Sequence, residues 1–325
     1  MKKRERIGEE MIFGIITAIV LGIAAVSYYA YRTAFRFVDR RTNEQRWAIP
    51  DAEQYQKHKD YMESLIKEMA DLPCEWVSIR SFDGTELWGR YYHVSEHAPL
   101  QIQMHGYQSD GIRDFCGGNK AARQMGMNTL VVDQRAHGRS GGHTLTFGVK
   151  ERRDCLEWVK YVNERLGTET PVFLVGLSMG AATVLMASEL DLPENVVGII
   201  ADCPYSSQKQ IICNVGNYMK LPMKILYPFV ELGAFLFGHF RISETSPVEA
   251  VRKAKVPVLL IHGEDDRFVP CEMSRKLYTA CASKATLVTV PEAGHGISYI
   301  LDTEKYERAV ETFVGECLKG QGISQ

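Results

Sequence analysis

From about Gln101 onward the chain alternates short, largely apolar runs with amphipathic stretches, and this alternation restricts its fold more than any other feature. Gln101–Met104, Thr129–Val132, Val172–Val175, Val197–Ala201 and Val258–Ile261 have the length of strands and little or no polar face. Such strands must be covered on both sides, which is the situation of a parallel sheet. Helical spacing of apolar residues falls between them, at Ile112–Gln124, Val149–Leu166, Met179–Leu190 and Glu272–Ala282, and Tyr306–Leu318 follows a last strand, Thr286–Val290. The expected fold class is therefore α/β, a mostly parallel central sheet with helices on both faces. Ahead of it, Glu75–Arg80 and Leu87–Val94 flank the turn residues Asp83-Gly84 and read as a hairpin.

Two stretches depart from this rhythm. Residues 1–10 form a charged flank, and the 21 residues Met11–Tyr31 carry no charge at all. As a helix that run spans about 31 Å at ~1.5 Å per residue, enough for a bilayer, and Tyr28, Tyr29 and Tyr31 suit its interface. A single-pass N-terminal membrane anchor over 11–31 is expected, with a signal peptide as the competing reading, since basic residues precede the run and Ala25-Val26-Ser27 resembles a cleavage site. Basic residues lie on both sides, so the side occupied by the body is not given. Residues 32–73 read as a connecting helical segment, Phe35–Asp71 forming a helix that packs on the body with Tyr61, Leu65, Ile66 and Met69 at helical spacing, and a catalytic domain is expected over 74–320. The second departure is the forty residues from Tyr205 to Glu244, longer than a crossover needs, which read as a cap at about 205–245. Its Leu221–Phe240 suits either an apolar lid or acyl pocket, or the cap's own core. Lys224 and Glu231 interrupt that run and argue against its insertion in a membrane.

A formal charge of -2 offers no basic surface for a polyanion, so nucleic acid is not an expected partner. Eight cysteines without a C-x-x-C pair argue against zinc or a redox dithiol and for core thiols, Cys155 sharing a helical stripe with Trp158, Val159 and Val162. A disulfide framework is the lesser alternative, tied to the topology of the anchor.

Gly176-Leu177-Ser178-Met179-Gly180 ends one apolar run and opens an alanine-rich helical stretch. A serine on a sharp strand-to-helix turn needs small residues two before and two after it, and both are glycine. A serine hydroxyl needs a base, and among nine histidines His295, in Gly294-His295-Gly296 after the last strand, is free to reach inward. The imidazole in turn needs a carboxylate, and Glu264, Asp265 and Asp266 follow one strand while Asp202 ends another.

The stretch Ile261-His262-Gly263-Glu264-Asp265-Asp266-Arg267-Phe268-Val269-Pro270 resembles the H-G-x-x-D-x-x-V-P segment of the α/β-hydrolase superfamily, and the resemblance selects Asp266 as triad acid. The order Ser178, Asp266, His295 is that of the superfamily. The resemblance makes the backbone N–H groups of Met179 and Tyr107 the oxyanion donors, Tyr107 through Met104-His105-Gly106-Tyr107, which looks like the H-G-x loop and in which His105 is structural. Asp133-Gln134-Arg135-Ala136-His137-Gly138-Arg139-Ser140 looks like the D-x-R-G-H-G-x-S loop, with Ala136 in place of glycine and His137 as a brace. It covers about Cys74 to Leu318 and lies nearest the membrane-anchored, serine aminopeptidase-like and Bem-type branches. It implies hydrolysis of an acyl bond, a carboxylester first, through an acyl-enzyme, with no cofactor or metal. The expected partners are a small-molecule acyl ester or a peptide as substrate and a membrane at the N-terminal helix. Peptidase, thioesterase or acyltransferase activity on the same triad is the alternative, and a non-catalytic binding protein a remoter one.

Overall fold

A computed structural model describes residues 2–320, with side chains from Arg6 onward; the start of the charged flank and residues 321–325 lie outside it. Among the described residues eight strands form one sheet: β1 (Glu75–Arg80), β2 (Glu86–Tyr92), β3 (Leu100–Met104), β4 (Asn128–Asp133), β5 (Val172–Leu177), β6 (Val196–Asp202), β7 (Val258–Gly263) and β8 (Ala285–Val290). Their order is β1-β2-β4-β3-β5-β6-β7-β8. The expected hairpin makes β1 and β2 antiparallel, β2 meets β4 antiparallel, and every later pairing is parallel.

The main helices are α1 (Lys2–Ala34), α2 (Lys59–Ala70), α3 (Gly111–Gln124), α4 (Glu151–Leu166), α5 (Met179–Ala187), α6 (Gln208–Tyr218), α7 (Met223–Gly238), α8 (Glu272–Ala280) and α9 (Thr303–Gly320). Period-two geometry divides each strand between two cores. In β5, Phe173 and Val175 face α2, α3 and α9 through Met69, Phe115 and Phe313. Val172 and Leu174 face α4, α5 and α8 through Trp158, Leu185 and Leu277. Both faces are covered, which is why these strands carry no polar side.

In the connecting segment the expectation is corrected in two respects. The buried stripe of α2 is Met62, Leu65, Ile66 and Met69, at the i, i+3, i+4, i+7 spacing, whereas Tyr61 points outward. Before α2 the chain is helical only in two short pieces, Asn43–Trp47 and Glu53–Gln56, and Arg36 bridges to Thr144 rather than continuing a helix.

Most of α1 stands free of the body, with Ile7, Phe13, Ile16 and Val20 exposed, and it is long and apolar enough to cross a bilayer. Its last turns are different. Ser27, Tyr31 and Phe35 are buried, and Gly233 of α7 meets the Ser27 carbonyl so closely that a β-carbon would overlap it. The inward residues of α7, Met223, Tyr227, Val230 and Ala234, share a third core with Tyr31, Phe35 and Met179. All eight cysteines are free thiols, and Cys155 is buried with Trp158, Val159 and Val162.

Candidate active site

The site forms where strands end. Met104, the last residue of β3, pairs with Gly176 of β5, and Leu177 pairs with Asp202 of β6, so three carboxyl-terminal loops meet at one edge. Ser178 follows β5 directly in a left-handed conformation, φ 55° and ψ -112°. A non-glycine residue rarely adopts it, and the surroundings hold it there. A β-carbon at Gly176 would overlap the backbone of Gly180, and one at Gly180 would overlap the carbonyl of Met104. Both glycines are therefore required by close backbone approach.

His295 lies in the loop after β8, with Nε2 2.9 Å from the Ser178 Oγ. Its Nδ1 is 2.6 Å from Oδ2 of Asp266, in the loop after β7. The other oxygen of Asp266 accepts from the amides of Phe268 at 2.9 Å and Val269 at 2.8 Å. Burial by itself raises the Asp266 carboxyl, but hydrogen bonds with His262 and His295 and from the Val269 amide outweigh it, holding the group well below the usual carboxylate range. His262 is fixed by Ser274 at 2.6 Å and the Val269 carbonyl at 2.8 Å. Of the neighbouring acids, Glu264 and Asp265 are exposed, and Asp202 lies buried with Oδ1 lacking a hydrogen-bond partner. Burial lifts the Asp202 carboxyl to about 6 despite the nearby His262 and His295.

The second shoulder of the site is the loop after β3. The Gly106 amide donates to Asp114 Oδ2 at 2.7 Å, and Gly106 stands beside Ser178, whose β-carbon would lie 3.5 Å from any β-carbon added there. This fixes the loop that carries Tyr107 against α5, where Met179 is the first residue. His105 Nε2 accepts from the Gln134 amide at 3.1 Å and His137 Nε2 from the Gln108 amide at 3.1 Å, so both histidines brace loops and neither reaches Ser178. Asp133 accepts from the Arg139 amide at 2.9 Å and lies 3.5 Å from Arg90. Ala136 adopts φ 67°, the left-handed conformation for which glycine is suited.

A cleft of about 190 Å³ opens beside Ser178, lined by Pro50, Tyr55, Met62, Phe115, Leu177 and Tyr299 among others. Nothing in residues 205–245 lines it, so the expected lid or acyl pocket over the site is not where α6 and α7 lie. Its wall comes instead from the connecting segment, and the Tyr55 hydroxyl donates to the His295 carbonyl at 2.9 Å. The sequence held no sign of this, because Pro50 and Tyr55 sit in a polar stretch without periodicity. Cys203, Asp266 and His295 offer ligand atoms within 4.8 Å of one another. Asp266 and His295 already bond each other, and burial raises the Cys203 thiol well above its ordinary range, so a cation would have to displace both a hydrogen bond and a proton.

The sheet order, the strained serine after β5 and the two glycines that permit it define an α/β-hydrolase. The profile of the prolyl oligopeptidase family matches residues 120–321, well over half of the chain, and the protein belongs to that family of hydrolases. Protein YqkD of Bacillus subtilis is 29% identical over 191 residues, 58% of this chain and 63% of that protein. The lysophosphatidylserine lipase ABHD12 of Danio rerio is 25% identical over 227 residues, 66% of this chain and 53% of that one. The matches thus span less than two thirds of both relatives. Among solved structures, the Pyrococcus furiosus esterase Pf2001 superposes with a TM-score of 0.62 at 25% identity, covering 78% of this chain and 94% of the esterase.

Proposed function

We propose that the protein is a membrane-anchored serine carboxylesterase in which Ser178, His295 and Asp266 form the catalytic triad. The observation that carries this reading is the unbroken line of contacts, 2.9 Å from Ser178 Oγ to His295 Nε2 and 2.6 Å from His295 Nδ1 to Asp266 Oδ2. In the first step Oγ bonds to the ester carbonyl carbon while its proton passes to Nε2. The Nδ1–H donates to Asp266, whose charge stabilises the imidazolium. The carbonyl oxygen, now negative, accepts from the amides of Met179 and Tyr107. Collapse expels the alcohol, which takes the proton from Nε2 and leaves an acyl-serine. Water then repeats the sequence and releases the acid.

Both the Pyrococcus esterase and the zebrafish lipase support ester rather than amide chemistry. A lysophospholipid is on that ground the first natural substrate class to assay. The cleft beside Ser178 is where the acyl portion lies in this reading. α1 serves in this reading as the single-pass anchor. A fluorophosphonate probe tests the nucleophile: the folded protein should be labelled and Ser178→Ala should not. Failure of the folded wild type to react, beside a reactive control hydrolase, rejects the assignment. Arylamide turnover exceeding ester turnover would move the reading to a peptidase.

A further inference from the structure

We propose that the α6–α7 turn and the amino-terminal half of α7 form a second membrane contact, dipping into the bilayer beside α1. The proposal rests on the reading of α1 as a membrane helix. The two helices run side by side in one direction: Ser27 meets Gly233, Tyr31 meets Phe237 and Gly238, and Phe35 meets Phe240. Moving back from these contacts along either helix therefore leads the same way. On α1 it leads to the exposed apolar span, and on α7 to the turn that joins it to α6. A bilayer entered by the one is met by the other.

The surface that arrives there is apolar without a partner. A helix that is apolar on all sides is buried or in contact with lipid. In α7 the inward side packs on the body through Met223, Tyr227, Val230 and Ala234. On the opposite side Ile225 is 67% exposed, Phe229 and Leu232 follow it at helical spacing half-buried, and Leu221, Tyr218 and Met219 of the turn are exposed as well. Lys224 and Glu231, the charges that speak against a buried span, both fall about a quarter-turn to one side of this stripe at 3.6 residues per turn. Lys220 and Lys224 are exposed at the turn end, where a long cationic side chain can rise to lipid phosphates. α7 and the following Ile242–Val251 have the joint apolar composition of a span, but the axis bends by 96° between them, so no straight helix crosses here. A helix end that dips into the bilayer beside α1, with its apolar face toward lipid, satisfies these facts together.

The test uses the full chain in equimolar phosphatidylcholine–phosphatidylglycerol vesicles. The photo-cross-linker p-benzoylphenylalanine is placed singly at Ile16 of α1, at Leu221, at Ile225, and at exposed Tyr278 of α8 as control. Lipid adducts at Leu221 or Ile225 severalfold above Tyr278, and comparable with Ile16, are expected. Adducts at Ile16 with both α7 positions no higher than Tyr278 would overturn the proposal and leave the anchor standing. Absence of adducts at Ile16 as well would overturn both. Neither outcome depends on turnover, so the hydrolase reading is judged separately by the fluorophosphonate probe.

Discussion

Ser178 holds a backbone conformation that costs an ordinary residue about 1–3 kcal/mol, and the glycines around it are what make that conformation reachable. Gly180→Ala should accordingly abolish fluorophosphonate labelling and lower the melting temperature, because its β-carbon would overlap the Met104 carbonyl. Asp266→Asn should keep the fold but reduce kcat by as much as ~10⁴-fold, the scale known for a triad histidine left in the wrong tautomer. Ala136 is the converse case. It sits at φ 67°, and Ala136→Gly should relieve roughly 1 kcal/mol of strain, offset in part by the freer unfolded chain, so that denaturant midpoints rise slightly or hold. For Asp202, the native pKa of about 6 exceeds the ordinary 3.8, so the folded state binds the proton more tightly. That contribution is complete below about pH 4 and is lost as pH climbs to about 6, at roughly 1.4 kcal/mol per unit. The stability difference between wild type and Asp202→Asn, followed by urea unfolding, should change across that window and be flat above it. How legible these residues were depended on the backbone around them. Glycine pairs betrayed Ser178 and His295 because tight turns demand them, while Asp266 was one of several acids until a longer motif singled it out. Tyr55 gave no sign, since its place is set by packing between distant segments.

Helices and strands were legible where burial imposes a period. The strands of the central sheet read as apolar runs because helices cover both faces, and the hairpin read from Asp83-Gly84 because a tight turn joins its strands. The segment before α2 was not legible, since side-chain contacts with loops of the body shape it and no repeat records them. Arg41, for example, donates to the Gln108 carbonyl at 2.7 Å. The packing of α7 on α1 was equally hidden, since Gly233 and the Ser27 it meets lie some 200 positions apart and no period records the contact. Gly233→Leu should force the two helices apart at about 1–3 kcal/mol, the usual range for overpacking. A lower melting temperature with unchanged turnover of a soluble ester checks this, because α7 lines no part of the cleft.

At the scale of the whole molecule, the sheet aligns three loops, the third core ties α1 to the body, and the connecting segment crosses the site between them. Eight free thiols, five of them buried, mean that stability owes nothing to cross-links. Added reductant should leave the melting temperature unchanged, and a thiol reagent should titrate all eight only after unfolding. The position of Pro50 and Tyr55 carries a practical consequence. A recombinant fragment trimmed to begin at Cys74, the natural choice for anyone wishing to discard a greasy leader, would keep the proposed nucleophile and strip one side from the chamber beside it. Engineers of a soluble version should cut between Ala34 and Pro50 instead, sparing the strap that the leader delivers.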